Sequence, residues 1–309
     1  MDAPAAVRPF LKWAGGKRQL LPHLRRFIPP VFDRYFEPFL GSAAFFLDLC
    51  RRGAIGSPTA VLADNNSDLI GCYQAVEHRV DQVIRELRKL AAGHAAGGAA
   101  HYYRIRDEHF NPLRRIALGR TGAEHVEYSP KLAAMFIYLN RTGFNGLYRL
   151  NARGDFNVPA GRYVNPRICD ARNLRAVATT LQSRAAELRH GSFATVLTDC
   201  RPGDFLYFDP PYAPLSSTSR FTSYTASGFT EADQRRLQQI VVQLAERHCH
   251  VLLSNSTAPV IRELYEVNRD ARRAGLRTFR VPARRAINSK KSGRGAITEL
   301  IITNISPTP

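Results

Sequence analysis

Phe205-Leu206-Tyr207-Phe208-Asp209-Pro210-Pro211-Tyr212 decides the architecture. Four apolar residues closing on an acid describe a buried strand whose carboxyl end opens into a crevice, where open α/β sheets bind ligands. Proline fixes φ and has no N–H, so the pair stiffens the exit. The carbonyls of Asp209 and Pro210 can then face a ligand, with the Tyr212 ring held beside it. An acid, a carbonyl and a ring suit a planar, amino-substituted base. Taken alone, the tetrapeptide is equally a strand followed by a rigid turn.

Outward from this stretch, strand-like runs recur at Arg34 to Phe36, Ala60 to Ala63, Ala194 to Thr198, Val251 to Ser254 and Ile297 to Thr303. Helical spacing of apolar residues separates several of them, over Asp68 to Ala91 and Glu231 to Arg247, with Thr230 as the N-cap of the second. The alternation predicts an α/β chain with a mostly parallel sheet. Between Ala91 and His190 it stops: Gly97-Gly98 marks a break, and a segment rich in Arg, Tyr and Asn follows, as expected of an insertion. Within it, Leu147 to Val158 has alternating ends around a Gly-containing turn, which predicts a β-hairpin. The 309 residues suffice for one catalytic domain carrying a smaller insertion.

The formal charge is +18 and the pI about 10.3. Clustered cations of this excess displace counterions from phosphates, so nucleic acid is the expected partner. The cations are 38 Arg and 6 Lys, a ratio favouring bidentate contacts to phosphate or guanine, which codon bias also produces. Charge concentrates in His101 to His190, net +8, and in Arg269 to Arg294, net +9. The end of the second stretch, Asn288 to Gly295, has loop composition. Five cysteines without a CxxC pair argue against a disulfide framework or zinc knuckle and for a reducing compartment. His248-Cys249-His250 places two imidazoles on one face of a strand, but no further ligands converge, so no metal is expected. Neither a leader-like N-terminus nor about 18 unbroken apolar residues occur, so a soluble cytoplasmic protein without membrane attachment is expected.

Near the N-terminus, Phe10-Leu11-Lys12-Trp13-Ala14-Gly15-Gly16-Lys17 surrounds a glycine pair with an aromatic and two cations and opens toward a helix. Such a loop grips a carboxylate or phosphate through backbone N–H groups and an ammonium; it is equally a tight turn with Trp13 in the core. Tyr35 to Phe46, Tyr-Phe-Glu-Pro-Phe-Leu-Gly-Ser-Ala-Ala-Phe-Phe, passes from a strand through small residues into an apolar helix, bringing backbone close to a bound nucleoside. Asp64 ends the strand Ala60 to Ala63, 27 residues after Glu37, where an acid accepts hydrogen bonds from ribose hydroxyls or simply caps the strand.

In this order the motifs resemble the Dam family, the D12-class, α-type DNA adenine-N6 methyltransferases. The resemblance rests on Phe10 to Lys17, Phe36 to Phe46, Asn140 to Arg149, Gly154 to Pro159, Asp209 to Leu215 and Arg285 to Ser289. It implies a Rossmann-like S-adenosylmethionine-dependent methyltransferase sheet with an inserted, mainly helical target-recognition domain carrying a β-hairpin. The catalytic domain would then span residues 1–75 and 191–309, and the DNA-binding insert 76–190. It also implies that Trp13, Lys17, Asp64 and Asp209 contact S-adenosylmethionine, with Glu37, Phe39 and Gly41 shaping its pocket. Lys17 suits the methionine carboxylate, Asp64 the ribose and Trp13 the neighbourhood of the sulfonium; Asp199 is a further candidate for the cofactor adenine. Members often carry Gly-x-Gly where this chain has Gly41-Ser42-Ala43, which costs backbone freedom.

Catalysis would fall to Asp209, Pro210 and Tyr212, acting on an adenine flipped out of duplex DNA. Phe144, Asn145, Leu147 and Arg149 would form the target-reading surface, with Asn157, Pro159 and Tyr163 on a hairpin entering the opened duplex. Phe144 stands where the family usually has Tyr. The implied target is GATC, and the setting a bacterial or phage protein associated with the nucleoid, solitary or paired with a cognate restriction endonuclease. Cytosine N4 or RNA as acceptor, or a non-enzymatic basic DNA-binding protein on a decayed cofactor fold, are the rival readings.

Overall fold

A computed structural model describes residues 7–13, 17–55, 59–120, 128–215, 229–284 and 296–308. Gly15-Gly16, Arg285 to Ser289 and the loop Asn288 to Gly295 lie outside these. Among the described residues there are seven strands: β1 (Tyr35–Glu37), β2 (Ala60–Asp64), β3 (Glu187–His190), β4 (Phe205–Phe208), β5 (His250–Ser256), β6 (Arg277–Arg284) and β7 (Ala296–Thr303). The chain groups into two compact units. One lies within Met1–Gly16, Gly41–Gly56 and Asp64–Gly191, the other within Lys17–Leu40, Ser57–Ala63 and Ser192–Pro309.

The second unit holds six strands in the order β2-β1-β4-β5-β7-β6. The pairs β1–β2, β1–β4 and β4–β5 are parallel, and β7 runs antiparallel to both β5 and β6. β4 lies in the middle and all four of its residues are buried, as expected of a near-continuous apolar run in a parallel sheet covered on both faces. The Glu231–Glu246 helix buries Leu237, Ile240, Val241 and Leu244 in one core with Leu206, Phe208, Val251 and Leu253. Thr230 caps it as expected, accepting from the Asp233 N–H while Asp233 accepts from the Thr230 N–H, the reciprocal capping box.

Two strand expectations fail. Ala194 to Thr198 is helical, a 3-10 turn Phe193–Thr195 running into the helix Val196–Asp199. Ser192 caps it through the Ala194 N–H, and the Thr195 and Thr198 hydroxyls donate to carbonyls three residues back. Local side-chain bonding of this kind outweighs the β propensity of a short apolar run. The last strand of this unit is instead the arginine-rich β6, in which Phe279, Val281 and Ala283 alternate with Arg280, Pro282 and Arg284. His248 has φ 60° and precedes β5, so it shares no strand face with His250. Among the described residues, no group of three His, Cys, Asp or Glu is placed to hold a metal, and no helix is long and apolar enough to cross a membrane.

In the same core the Tyr265 ring is 2% exposed and its hydroxyl meets no partner among the described residues. An unsatisfied buried hydroxyl costs about 1–3 kcal/mol. Tyr265→Phe should therefore raise unfolding stability by about 1 kcal/mol, and a urea melt with an unchanged or lower midpoint would contradict this.

The first unit is mainly helical. Its long helix Ser67–Arg104 runs through the predicted Gly97-Gly98 break, which survives as a kink at Gly98 (φ 48°), with a second at Arg79. Asn66 caps the helix by accepting from the Leu69 N–H. It packs on Pro130–Thr142 and on Ala171–Ser183, burying Leu69, Ile70, Tyr73 and Val76. The expected hairpin is short: bridges join Leu150 to Phe156 and Gly143 to Ala160, and the Asn157 N–H donates to the Arg149 carbonyl at 3.1 Å.

Candidate active site

β4 delivers Asp209 beside β5. The register pairs Phe208 with Leu253, so the next residue on each strand meets across the ladder, and the Ser254 hydroxyl donates to Asp209 Oδ1 at 3.0 Å. Tyr207 and Ser254 hydroxyls lie 3.1 Å apart beneath it. Lys17 Nζ sits 2.8 Å from Asp209 Oδ1 and 4.1 Å from the centre of the Tyr212 ring, a cation–π distance. The Tyr212 hydroxyl donates to Glu299 Oε2 at 2.8 Å, so the ring is fixed at its tip and covered on one side by the ammonium.

Carbonyls after Pro210 are bonded within the fold. Pro211 O accepts from Gln234 Nε2 at 2.9 Å and Ala213 O from the Ser256 hydroxyl at 2.7 Å. Among the described residues the Pro210 carbonyl accepts nothing. Burial pushes the Asp209 carboxyl above its ordinary range, while Lys17 and the Ser254 hydroxyl pull it back. Tyr212 is held protonated by burial and by the charges of Asp209 and Glu299.

Two other expected residues belong to the same unit. Glu37 is buried and accepts from the Tyr35 hydroxyl at 2.7 Å. Phe39 stacks on Phe193 (centroids 5.3 Å, 23°) and meets Phe229 edge-on at 5.7 Å, a three-ring cluster the sequence did not announce. Asp199 ends a helical turn and not a strand; its carbonyl accepts from Arg34 Nη2 at 2.8 Å.

In the first unit the carboxylate of Asp64 is gripped at both oxygens, by the Gly41 N–H at 3.0 Å and the Asn66 N–H at 2.9 Å. Burial nonetheless pushes its pKa up to about 6, the two N–H bonds opposing the shift. Gly41 is required twice over: its φ is 48°, and a Cβ there would stand 3.0 Å from Trp13 Cδ1. Trp13 in turn stacks on Tyr148 (5.9 Å, 27°). Ala43, the departure from Gly-x-Gly, adopts φ 54° as the residue capping Ala44–Arg51. A left-handed non-glycine residue carries roughly 1–2 kcal/mol of strain, here alongside complete burial of its methyl group.

The expected target-reading residues fall on one short segment. Phe144 is 47% exposed and its N–H donates to the Pro159 carbonyl at 2.9 Å; Asn145 follows with φ 54°. Arg149 is exposed and spends Nε on Asn157 Oδ1 at 2.8 Å and Nη2 on the Asn157 carbonyl at 3.3 Å. Leu147 is half-buried. Tyr163 lies beneath Lys12, whose Nζ is 3.7 Å from its ring centre. Sequence reasoning missed Ser254, Phe193 and Phe229, which carry no local motif, and Asp68, which reads as an ordinary first-turn acid.

The pattern of the D12 class N6 adenine-specific DNA methyltransferases matches residues 13–278. The chain is 38% identical over 298 residues to a Type II methyltransferase of Lactococcus lactis subsp. cremoris, covering 96% of this chain and 95% of the relative. A Type II methyltransferase of Methanocaldococcus jannaschii is 37% identical over 309 residues, with 96% and 99% covered. A DNA adenine methylase of Escherichia coli strain K12 is 38% identical over 300 residues, with 95% and 94% covered. With an acid and an anchored ring at the end of a central parallel strand, and with these relatives along nearly its whole length, the chain belongs to the D12 class of N6 adenine-specific DNA methyltransferases.

Proposed function

We propose that the protein transfers a methyl group from S-adenosylmethionine to N6 of an adenine flipped out of duplex DNA, within GATC. The reading rests on the Asp209 carboxylate and the Pro210 carbonyl, which accepts nothing among the described residues, beside the anchored Tyr212 ring. An amino group has two N–H donors and adenine a planar face, so the acceptors hold the nitrogen and the ring stacks on the base; such stacking contributes about 1–3 kcal/mol.

The residues fit the cofactor. Asp64, fixed by two N–H groups at a strand end, offers its remaining lone pairs to ribose hydroxyls. Lys17 has donors left beyond its bond to Asp209 for the methionine carboxylate. Trp13, Glu37, Phe39 and Gly41 complete the binding set, Gly41 allowing the Trp13 ring to lie close against its backbone. When bound, S-adenosylmethionine supplies an electrophilic methyl group on a sulfonium. The chain's own work is to hold N6 in line with it and to place negative charge beside the nitrogen as that becomes cationic. We assign target reading to Phe144, Asn145, Leu147, Arg149, Asn157, Pro159 and Tyr163, residues 76–190 to the recognition domain, and residues 1–75 and 191–309 to the catalytic domain. The same reading makes this a nucleoid-associated bacterial or phage enzyme, solitary or partnered by a restriction endonuclease.

Mass spectrometry of nucleosides from unmethylated DNA incubated with protein and S-adenosylmethionine tests the reaction. N6-methyladenine is expected; N4-methylcytosine would overturn the acceptor, and sequencing of modified sites would test GATC. The Asp64 carboxyl makes a second prediction. Raised to about 6, it is ionised at pH 7.5 and protonates at a pH where an ordinary Asp stays charged, giving up an acceptor for ribose. Calorimetry should show S-adenosylhomocysteine binding weaken by up to about tenfold per pH unit below 6, with a flatter profile in Asp64→Asn. Equal slopes in both would remove Asp64 from the cofactor.

A further inference from the structure

Beneath the recognition segment lies a buried ionic cluster that the proposed chemistry does not use. Asp68 is 1% exposed and accepts from Arg114 Nε at 2.8 Å to both oxygens, from the Tyr128 hydroxyl at 2.5 Å on Oδ1 and from the Tyr148 hydroxyl on Oδ2. Arg114 also donates Nη1 to the Gly154 carbonyl at 2.6 Å, at the tip of the hairpin. Asn111 pairs reciprocally with the Phe156 backbone at 3.1 and 2.9 Å. Breaking one member of a buried, balanced ion pair is costly, and this accounts for Arg114 and Tyr128 as structural partners.

Tyr148 differs from them. It is held at both ends: its hydroxyl on Asp68, its ring stacked on Trp13. Its neighbour in sequence is Arg149, assigned above to the target. Asp68 itself stands two residues beyond Asn66, whose N–H fixes Asp64. A side chain tethered at both ends cannot follow a displacement of its backbone without moving one tether. Taking up target DNA on Arg149 therefore loads the Trp13 stack and the start of the Ser67–Arg104 helix.

We propose that Tyr148 is a positioning residue that couples target recognition to cofactor binding, its hydroxyl bond to Asp68 converting hairpin docking into a fixed placement of the Trp13 ring. The inference rests on the assignment of Trp13 and Asp64 to S-adenosylmethionine and of Arg149 to DNA. Coupling of two ligands is reciprocal, so cognate duplex tightens cofactor binding and cofactor sharpens discrimination among duplexes.

Calorimetry on the full chain tests it, with S-adenosylhomocysteine as the probe, alone and with saturating duplex carrying GATC or a one-pair variant of it. In the wild type the cognate duplex should tighten the probe at least fivefold and the variant duplex less than twofold. Tyr148→Phe, which keeps the ring on Trp13, should bring the cognate effect below twofold. Tyr128→Phe removes a hydrogen bond to the same carboxylate from outside the hairpin and should retain the fivefold effect. Absence of coupling in the wild type, its retention in Tyr148→Phe, or equal loss in both variants would overturn the proposal. Failure of the function itself reads out separately, as no N6-methyladenine from wild-type protein in the nucleoside assay.

Discussion

Asp209→Ala is expected to lower methyl transfer by about 10³-fold, the size of effect seen when a group placed against developing charge is removed. The adenine N6 lone pair is delocalised into the ring, so the nitrogen attacks only when its two N–H bonds are drawn out of the planar arrangement. Asp209 and the Pro210 carbonyl are the acceptors available for that, and only Asp209 adds negative charge beside the nascent cation. The substitution also leaves Lys17, 8% exposed, without its 2.8 Å partner. Asp209→Asn keeps an oxygen for Lys17 and Ser254 and is the companion variant, losing the charge but not the packing. Single-turnover methylation, measured with melting temperature and DNA affinity, separates chemistry from folding; near-wild-type turnover in a folded variant would sink the mechanism.

The pH profile gives the same residue a second test. Burial raises the Asp209 carboxyl and Lys17 opposes the rise, so the acid limb of the single-turnover rate should lie above the ordinary Asp range, with activity lost as pH falls through it. Lys17→Met removes the opposing charge and should move that limb to higher pH.

Arg149→Ala should relax discrimination at one base position by about 1–3 kcal/mol, the contribution of a good bidentate contact to a guanine edge. The side chain is exposed, and Asn157 holds its Nε and Nη2, which fixes the guanidinium plane while, among the described residues, Nη1 makes no bond. Turnover on the preferred duplex should fall less than the ratio between preferred and single-substituted duplexes. A uniform loss across all sequences, with a shallower salt dependence, would instead make Arg149 a phosphate contact.

The sequence was most informative where local pattern and environment agree. The run Phe205 to Phe208 is apolar throughout because a central parallel strand is buried on both faces, and all four residues are buried. Thr230 was readable as an N-cap because a capping residue sits immediately before the helix it caps; that Asp233 completes the reciprocal box came from the structure. Ala194 to Thr198 misled because its apolar content is compatible with either backbone, and the choice fell to the Ser192 cap and the hydroxyls of Thr195 and Thr198. β3 and β6 were missed for other reasons: Glu187-Leu188-Arg189-His190 is too short and charged to show a period, and in Arg277 to Arg284 the alternation of Phe279, Val281 and Ala283 with Arg280, Pro282 and Arg284 is written mostly in arginine, which reads as a charged segment, yet it buries Val281 and Ala283.

The family, the α/β class, the strand that presents Asp209 and the order of the motifs were legible because each is written in residues adjacent along the chain. Folding supplied the groups that meet those residues. Ser254 reaches Asp209 through the β4–β5 register, 45 positions away, and Glu299 anchors Tyr212 across 87. Tyr148 joins Trp13 to Asp68 over separations of 135 and 80 residues. Hydrogen bonds and ion pairs act over a few ångströms of space without regard to sequence distance. Partnerships of this kind leave no local period or spacing to read, and they exist only once the chain has folded.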